Sequence, residues 1–450
     1  MIYIVVEGLV TPTGFKNNSA RNLLVGLREL GIEFTIIDCQ SEIEPAHRST
    51  SFAQIQTCEL GPYLSVNLPI VKSWRDPNCV QFFRNLIDSL PDSQGIFHIV
   101  EAYGYLGCWL AALKSTAFKV VFTALDYHWL CNLSWLITRQ GKQCSGPQTV
   151  DACLACSYDH REPLKAAVLK GMLFASTLPD SLLWFVPAKI SQDIQQIEIR
   201  RQIVDTRLAT FRQEFNQVDA VIAPSLALGE ILINNGLARE KIVHIPYGTQ
   251  SGQRLSVKDR PPLHEAVVFG FIGRMSFDKG IDILIDTLAK LRRKTASKFR
   301  LVVFSSLKAK TGFEHQIMKK IQTNAWISIG QFDGRNPQSI DAAHRQIHFQ
   351  VAPSRWTDNL PNAVLEGIER NTPVIAPNYG SFPEMIIHGT NGWLYNSSDQ
   401  FEALLAEIVH NPEKFLALNY EHPSQRYPIA EAQDVSTLYN QLLDRAPAKF

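Results

Sequence analysis

Short apolar runs alternate with longer amphipathic stretches along this chain, and the alternation starts twice. Residues 2–6 (IYIVV) read as a buried strand, residues 19–30 (SARNLLVGLREL) as a helix stopped by Gly31, and residues 33–37 (EFTII) as the next strand. Strand–helix–strand on this scale implies a right-handed βαβ unit and a parallel sheet. Residues 96–100, 119–124 and 219–223 continue the pattern. It begins again at residues 267–272 (VVFGFI), with a helix at 281–293 and strands at 300–304, 326–329, 348–351 and 373–376. Between the two series, residues 250–264 (QSGQRLSVKDRPPLH) have the composition of a linker. The expected architecture is α/β, with two doubly wound domains facing across a cleft. Ligands in such folds sit at the carboxyl ends of the strands. The expected division is 1–250, 251–425, and a C-terminal helix in 426–450.

The totals narrow the function. The 450 residues allow two or three domains, and a formal net charge of +1 gives no reason to expect a nucleic-acid partner. No apolar run reaches the roughly 18 residues a membrane span needs. The start, MIYIVVE, has no basic leader region, so the expectation is a cytoplasmic protein. Its eight cysteines are then expected reduced, metal-bound or buried. Residues 160–215 break the alternation, being helical in pattern and apolar, with Lys165, Lys170 and Lys189 nearby. They read as a helical insertion packed on the first domain or as a peripheral contact with a membrane or lipid-linked acceptor; apolar helices are more often core.

Three segments carry chemistry. Gly273-Arg274-Met-Ser-Phe-Asp-Lys279-Gly280 lies between a strand and a helix. Glycine lets backbone approach a phosphate, both bases reach a diphosphate, and the helix start behind them adds positive potential. Two solvated bases on a surface loop are the plain alternative. In the second segment Asp358 precedes a helix start formed by Asn359, Leu360, Pro361 and Asn362, and Glu366 lies about a turn and a half inside that helix. Amides at such a start form an anion site. A glycosidase would need its two carboxylates flanking a scissile bond; a loop-plus-helix pair beside an anion site suits a nucleotide-sugar better. The third segment, Gly380-Ser-Phe-Pro-Glu384 followed by Gly389-Thr-Asn-Gly392, points a carboxylate at the same sheet edge.

In this order and spacing the three segments resemble the C-terminal half of family-4 retaining glycosyltransferases (glycosyl transferases group 1) of the GT-B fold, which has two Rossmann-like domains. Val218-Asp-Ala-Val-Ile-Ala-Pro-Ser225, Lys241-Ile-Val-His-Ile-Pro-Tyr-Gly248 and a helical tail near 428–444 are similar too. The likeness is strong over residues 215–445 and looser over 1–135. It implies a hexosyltransferase-like enzyme that moves sugar from a UDP- or GDP-sugar to a glycan, lipid-linked or small-molecule acceptor, as in polysaccharide biosynthesis. Arg274 and Lys279 would bind the diphosphate and stabilise its departure, Glu366 the donor ribose, Asp358 the sugar hydroxyls, and Glu384 the donor side. Gly14, Gly273 and the amides near Leu360 and Asn362 would complete the donor site. Fixed cations and amides facing the leaving charge make a catalytic divalent metal unnecessary. Asp358 stands where relatives carry Glu, one methylene longer.

The first half departs further from the pattern. Relatives often carry T-x-H-D-Y-W…C near the reacting sugar; here the text is Thr123-Ala-Leu125-Asp126-Tyr127-His128-Trp129-Leu-Cys131. Leu125 stands at the His position, leaving His128 and His98 as candidate replacements. The N-terminal glycine loop is reduced to Pro12-Thr-Gly14. Cys131, Cys144, Cys153 and Cys156 include a C-x2-C pair, which reads either as a structural Zn2+ site or as free thiols in a loop. An epimerase or phosphorylase of the same fold, and an inactive nucleotide-sugar-binding scaffold, are the rival functions.

Overall fold

The computed structural model describes the chain except residues 8–9, 12–13, 16–17, 41–55, 59–60, 69–73, 101, 103, 132–133, 139–140, 157–187, 250–251, 296–297, 306–311, 419–425 and 445–450. The first series of apolar runs forms an eight-stranded sheet. Its strands are β1 (Ile2–Glu7), β4 (Thr35–Gln40), β5 (Gln56–Cys58), β6 (Gly61–Asn67), β7 (Gln94–Ile99), β8 (Ala117–Thr123), β9 (Ala220–Ala223) and β10 (Ile242–His244). They run in the order β10-β9-β8-β7-β1-β4-β6-β5, with only β5 antiparallel to its neighbour. Two short strands, β2 (Val10–Thr11) and β3 (Gly14–Phe15), pair separately, setting Gly14 opposite Thr11.

The second series forms a six-stranded parallel sheet of β11 (Val267–Ile272), β12 (Phe299–Phe304), β13 (Ile327–Gly330), β14 (Phe349–Val351), β15 (Val374–Pro377) and β16 (Gly392–Tyr395), in the order β13-β12-β11-β14-β15-β16. Helices cover both faces, which is why these strands are continuous apolar runs and not alternating ones; all six residues of β11 are buried. The strand order reverses between β11 and β14, so the loops that leave them open onto one crevice.

The helix Pro428–Asp444 returns to the first domain. Ala432, Val435, Leu438, Tyr439 and Leu442 join one core with Leu23, Leu24 and Leu27 of the helix Asn18–Glu29. His98 belongs to this packing and not to the cleft where the sequence pointed. It is fully buried in β7, with Nδ1 2.6 Å from the Tyr439 hydroxyl and Nε2 2.6 Å from Thr123 Oγ1. Burial pushes its pKa down to about 3.

One other expectation changes. The linker-like segment is docked on the second domain: Arg260 is buried and donates to the carbonyls of Ile347 and Asn371, each at 2.8 Å, and of His344 at 3.1 Å. Buried carbonyls left at helix and strand ends take these donors. In the 160–215 stretch, residues 157–187, with Lys165 and Lys170, lie outside the described residues. The helix Ala188–Phe215 continues it, and its second half buries Val204, Phe211 and Phe215. Among the described residues no helix is long and apolar enough to cross a membrane.

Candidate active site

The loop after β11 and the loop after β14 meet at the reversal point, and glycine makes the meeting close. Gly280 has φ +70°, and a Cβ there would sit 1.9 Å from the Pro353 carbonyl oxygen. Gly273, at φ +150°, turns the chain out of β11. The Asp278 carbonyl accepts from the Arg355 amide at 2.8 Å, and Arg355 pairs with Asp282 at 2.7 Å, so the loops form one unit.

Lys279 Nζ lies 2.5 Å from Asp358 Oδ2 and 4.9 Å from the Trp356 ring centroid. Asp358 is buried, with only 4% of its surface exposed, and the lysine neutralises it. Arg274 projects outward, its side chain 67% exposed and its nearest carboxylate, Asp278, at 3.5 Å. One cation is thus held in place and one reaches solvent beside it, an arrangement able to receive a diphosphate.

Pro361 precedes the helix Asn362–Glu369. The Leu360 amide donates to Ser381 Oγ at 2.7 Å, and that hydroxyl donates to the Asp358 carbonyl at 2.8 Å. In this form the Leu360 amide is occupied, and Leu360 itself is held at φ +55°, a conformation that costs a non-glycine residue about 1–3 kcal/mol. The amides of Asn362 and Ala363, in the first helical turn, have no partner within their own helix.

Glu366 lines a cleft between the domains with Asn22, Thr249, Asn362 and Arg370. Burial raises its carboxyl to about 7, and the Arg370 charge opposes the rise. Arg370 lies beneath, bonded to Asp341 at 2.6 Å and to the Glu366 carbonyl at 3.1 Å. Of the two carboxylates of the D-x7-E motif, Asp358 lies in the loop before this helix, paired with Lys279, and Glu366 lies within the helix and lines the cleft.

Other predicted residues span the cleft. Glu384 accepts from the Leu226 and Ala227 amides, each at 2.8 Å, and so caps the helix Leu226–Asn234 of the first domain. Asn359 bonds Ala124, Leu125 and Ser225, and Asn362 Nδ2 donates to Ser19 Oγ at 2.9 Å. The Tyr127 hydroxyl donates to the Thr357 carbonyl at 2.9 Å. Ser225, Tyr127, Ser381 and Arg370 were not singled out from the sequence. Only the position of Ser225 before a helix, an N-cap signal, could have marked one of them.

Leu125 packs between the first-domain core and the second-domain cluster that holds Leu360 and Val364. His128 is held within its own loop, its Nδ1 2.7 Å from Asp126 Oδ1, while its carbonyl accepts from Arg207 at 3.1 Å. The four clustered cysteines form no disulfide among the described residues. Among the described residues no three His, Cys, Asp or Glu side chains converge to hold a metal ion, so nothing in the structure supports the zinc reading. Cys131 and Cys144 pack against the first core, Cys144 Sγ donates to the Gly146 carbonyl, and Cys153 Sγ accepts from the Gln148 amide. Burial pushes the Cys153 thiol up.

Residues 255–424 match the family model described as Glycosyl transferases group 1. A glycosyltransferase of Methanocaldococcus jannaschii is 27% identical over 39% of this chain and 48% of its own length. The lipopolysaccharide core biosynthesis mannosyltransferase LpcC of Rhizobium leguminosarum bv. viciae is 26% identical over 50% and 66%. The chain spans about half the length of the first of the curated relatives it matches. Sucrose-phosphate synthase from Thermosynechococcus elongatus shares the fold over 98% of both chains, with 13% identity and a TM-score of 0.62. Anabaena HepE in complex with UDP and glucose does so over 98% of this chain and 99% of its own, with 13% identity and a TM-score of 0.61. The chain is thus similar to glycosyl transferases group 1 over residues 255–424 and has the two-domain GT-B fold.

Proposed function

We propose that this chain is a retaining glycosyltransferase that moves a sugar from a nucleotide-diphosphate sugar to a glycan, lipid-linked or small-molecule acceptor. The observation that carries the reading is the Lys279–Asp358 pair at the reversal point of the second sheet, with Arg274 beside it and Glu366 in the adjoining cleft. Arg274 and Lys279 take the diphosphate and stabilise the charge that develops as it leaves. Once a phosphate draws Lys279, Asp358 accepts from sugar hydroxyls, and Glu366 accepts from the ribose. A UDP-sugar is the first donor to try, since HepE is described with UDP-glucose and another relative in fold with UDP-2-fluoro glucose. The departing phosphate takes the acceptor proton on the same face. We propose the division at about residues 250 and 425, with acceptor binding in the first domain.

The test is transfer of labelled sugar from a panel of nucleotide-sugars chosen by thermal shift, since a bound donor stabilises the folded state. Lys279→Ala and Glu366→Ala abolish transfer without unfolding the protein; full activity in both variants would remove the site assignment. Release of sugar phosphate or of an isomerised donor, without transfer, would favour a phosphorylase or epimerase. A donor that binds and is never consumed would favour a scaffold, the reading that Leu125 keeps open.

A further inference from the structure

We infer that Asn359 is a positioning residue that couples cleft closure to the placement of Asp358, so that the sugar end of the donor site is complete only when the two domains touch. The inference rests on the donor-site reading above.

Asn359 is 4% exposed, and its carboxamide is spent on the first domain. Nδ2 donates to the carbonyls of Ala124, at 2.9 Å, and Leu125, at 3.1 Å, just beyond β8. Oδ1 accepts from Ser225 Oγ, at 3.0 Å, just beyond β9. A planar head with two donors on one atom and an acceptor on the other matches this set. Aspartate would set a carboxylate against two carbonyls, and leucine would leave all three partners unanswered.

The neighbours of Asp358 are tied the same way. The Thr357 carbonyl on one side takes the Tyr127 hydroxyl at 2.9 Å. Asn359 is on the other side, while the Asp358 carboxylate points back to Lys279 of its own domain at 2.5 Å. Ser225 is itself fixed, since its Oγ accepts from the Leu228 amide at 3.2 Å as the helix N-cap and the next two amides are held by Glu384. The backbone that presents Asp358 is thus clamped on both sides by the carboxyl edge of the first sheet. Separating the domains removes those clamps and leaves the segment to Ser381, whose hydroxyl donates to the Asp358 carbonyl at 2.8 Å, and to the Lys279 pair, while Arg274 keeps Asp278 within the second domain. The geometry therefore sets the diphosphate cations, carried by the second domain, apart from a sugar part whose backbone is fixed fully only on closure.

The experiment compares wild type, Asn359→Ala and Tyr127→Phe as full chains. Three quantities are measured: UDP affinity by calorimetry, kcat and KM for the donor that wild type uses, and the radius of gyration by solution scattering with saturating UDP. Asn359→Ala is expected to keep UDP affinity within about 3-fold and to lose roughly 10–100-fold in kcat, with donor KM changing far less, because misplacement of a reacting group costs turnover more than binding. Tyr127→Phe shifts kcat the same way and less. Both variants scatter as more open molecules than wild type under UDP. An unchanged kcat in Asn359→Ala overturns the proposal, as does a loss of UDP affinity that matches the loss of kcat. If wild type transfers no sugar at all, the enzymatic reading has failed, and the scattering arm still decides the coupling: equal compactness in wild type and both variants under UDP rejects it.

Discussion

The two sides of the cleft are built differently. On the second-domain side polar groups are tied to one another, Lys279 to Asp358, Arg370 to Asp341 and Ser381 to the Asp358 carbonyl, with Arg274 reaching solvent beside them. On the first-domain side Leu125 fills its place with apolar contact, and His128 bonds within its own loop. Binding a nucleotide diphosphate imposes charge and distance on residues close in sequence, so their spacing repeats. An acceptor site imposes shape, which many sequences can supply. The second-domain motifs of this chain keep the residue types and spacing of the family it resembles, while Leu125 and His128 of the first domain depart from that pattern.

The largest expected effect that would break this contrast is on the donor side. Lys279→Ala removes the fixed cation facing the leaving charge, and turnover is expected to fall about 10²–10³-fold or more. A retained rate in a steady-state assay would show that Arg274 alone suffices. Glu366 comes next. With its carboxyl raised to about 7, the ionised form that accepts from ribose hydroxyls is lost as pH falls through 7, so UDP affinity drops from pH 8 to pH 6. Glu366→Gln should bind more weakly and abolish that slope, as calorimetry at both pH values would reveal.

A smaller effect concerns the lock between the C-terminal helix and the first domain. The His98 pKa is depressed to about 3, against about 6.5 when unfolded, so the folded state refuses a proton that the unfolded state accepts. Its contribution is present above pH 6.5 and is lost as pH falls towards 3. By pH 4.5 the loss is about 2–3 kcal/mol. Thermal melts of wild type and His98→Gln should show a shallower acid slope in the variant. Smaller again, Leu125→His places a polar ring in the apolar junction and is expected to cost about 1–3 kcal/mol of stability while leaving UDP affinity unchanged. A gain in transfer rate would mean that the acceptor side had kept the family's chemistry. The smallest effect is that of Cys144→Ser, expected within about 1 kcal/mol and without change in activity; strict dependence of folding on added zinc would contradict a cluster that holds no metal.

Much of the second domain was legible because burial on both faces forces continuous apolar runs, and the strands at 267–272, 300–304 and 373–376 stand where such runs fall. The polar strands β5 (QTC) and β6 (GPYLSVN) carry no such signal. His98 looked like a cleft candidate because it lies in the strand-like run before the one that leads into the Leu125 loop; only the returning helix, 341 residues away in sequence, shows that Tyr439 encloses it. Arg260 looked like linker charge because its partners are carbonyls, which no sequence marks.

The sequence by itself determined the two parallel sheets, because period and run length follow from local chemistry. It set Lys279 before the helix that starts at Ile281 and Asp358 and Glu366 around the helix after Pro361, and the fold brought Lys279 and Asp358 together. Only the tertiary structure decided what Asn359 and Glu384 do. Both stand inside the donor motifs and would read as donor ligands, yet their hydrogen bonds reach Ala124, Leu125, Ser225, Leu226 and Ala227 of the other domain. The same carboxamide or carboxylate satisfies a ligand or a distant backbone equally well, and distance in space, not residue type, settles which it meets.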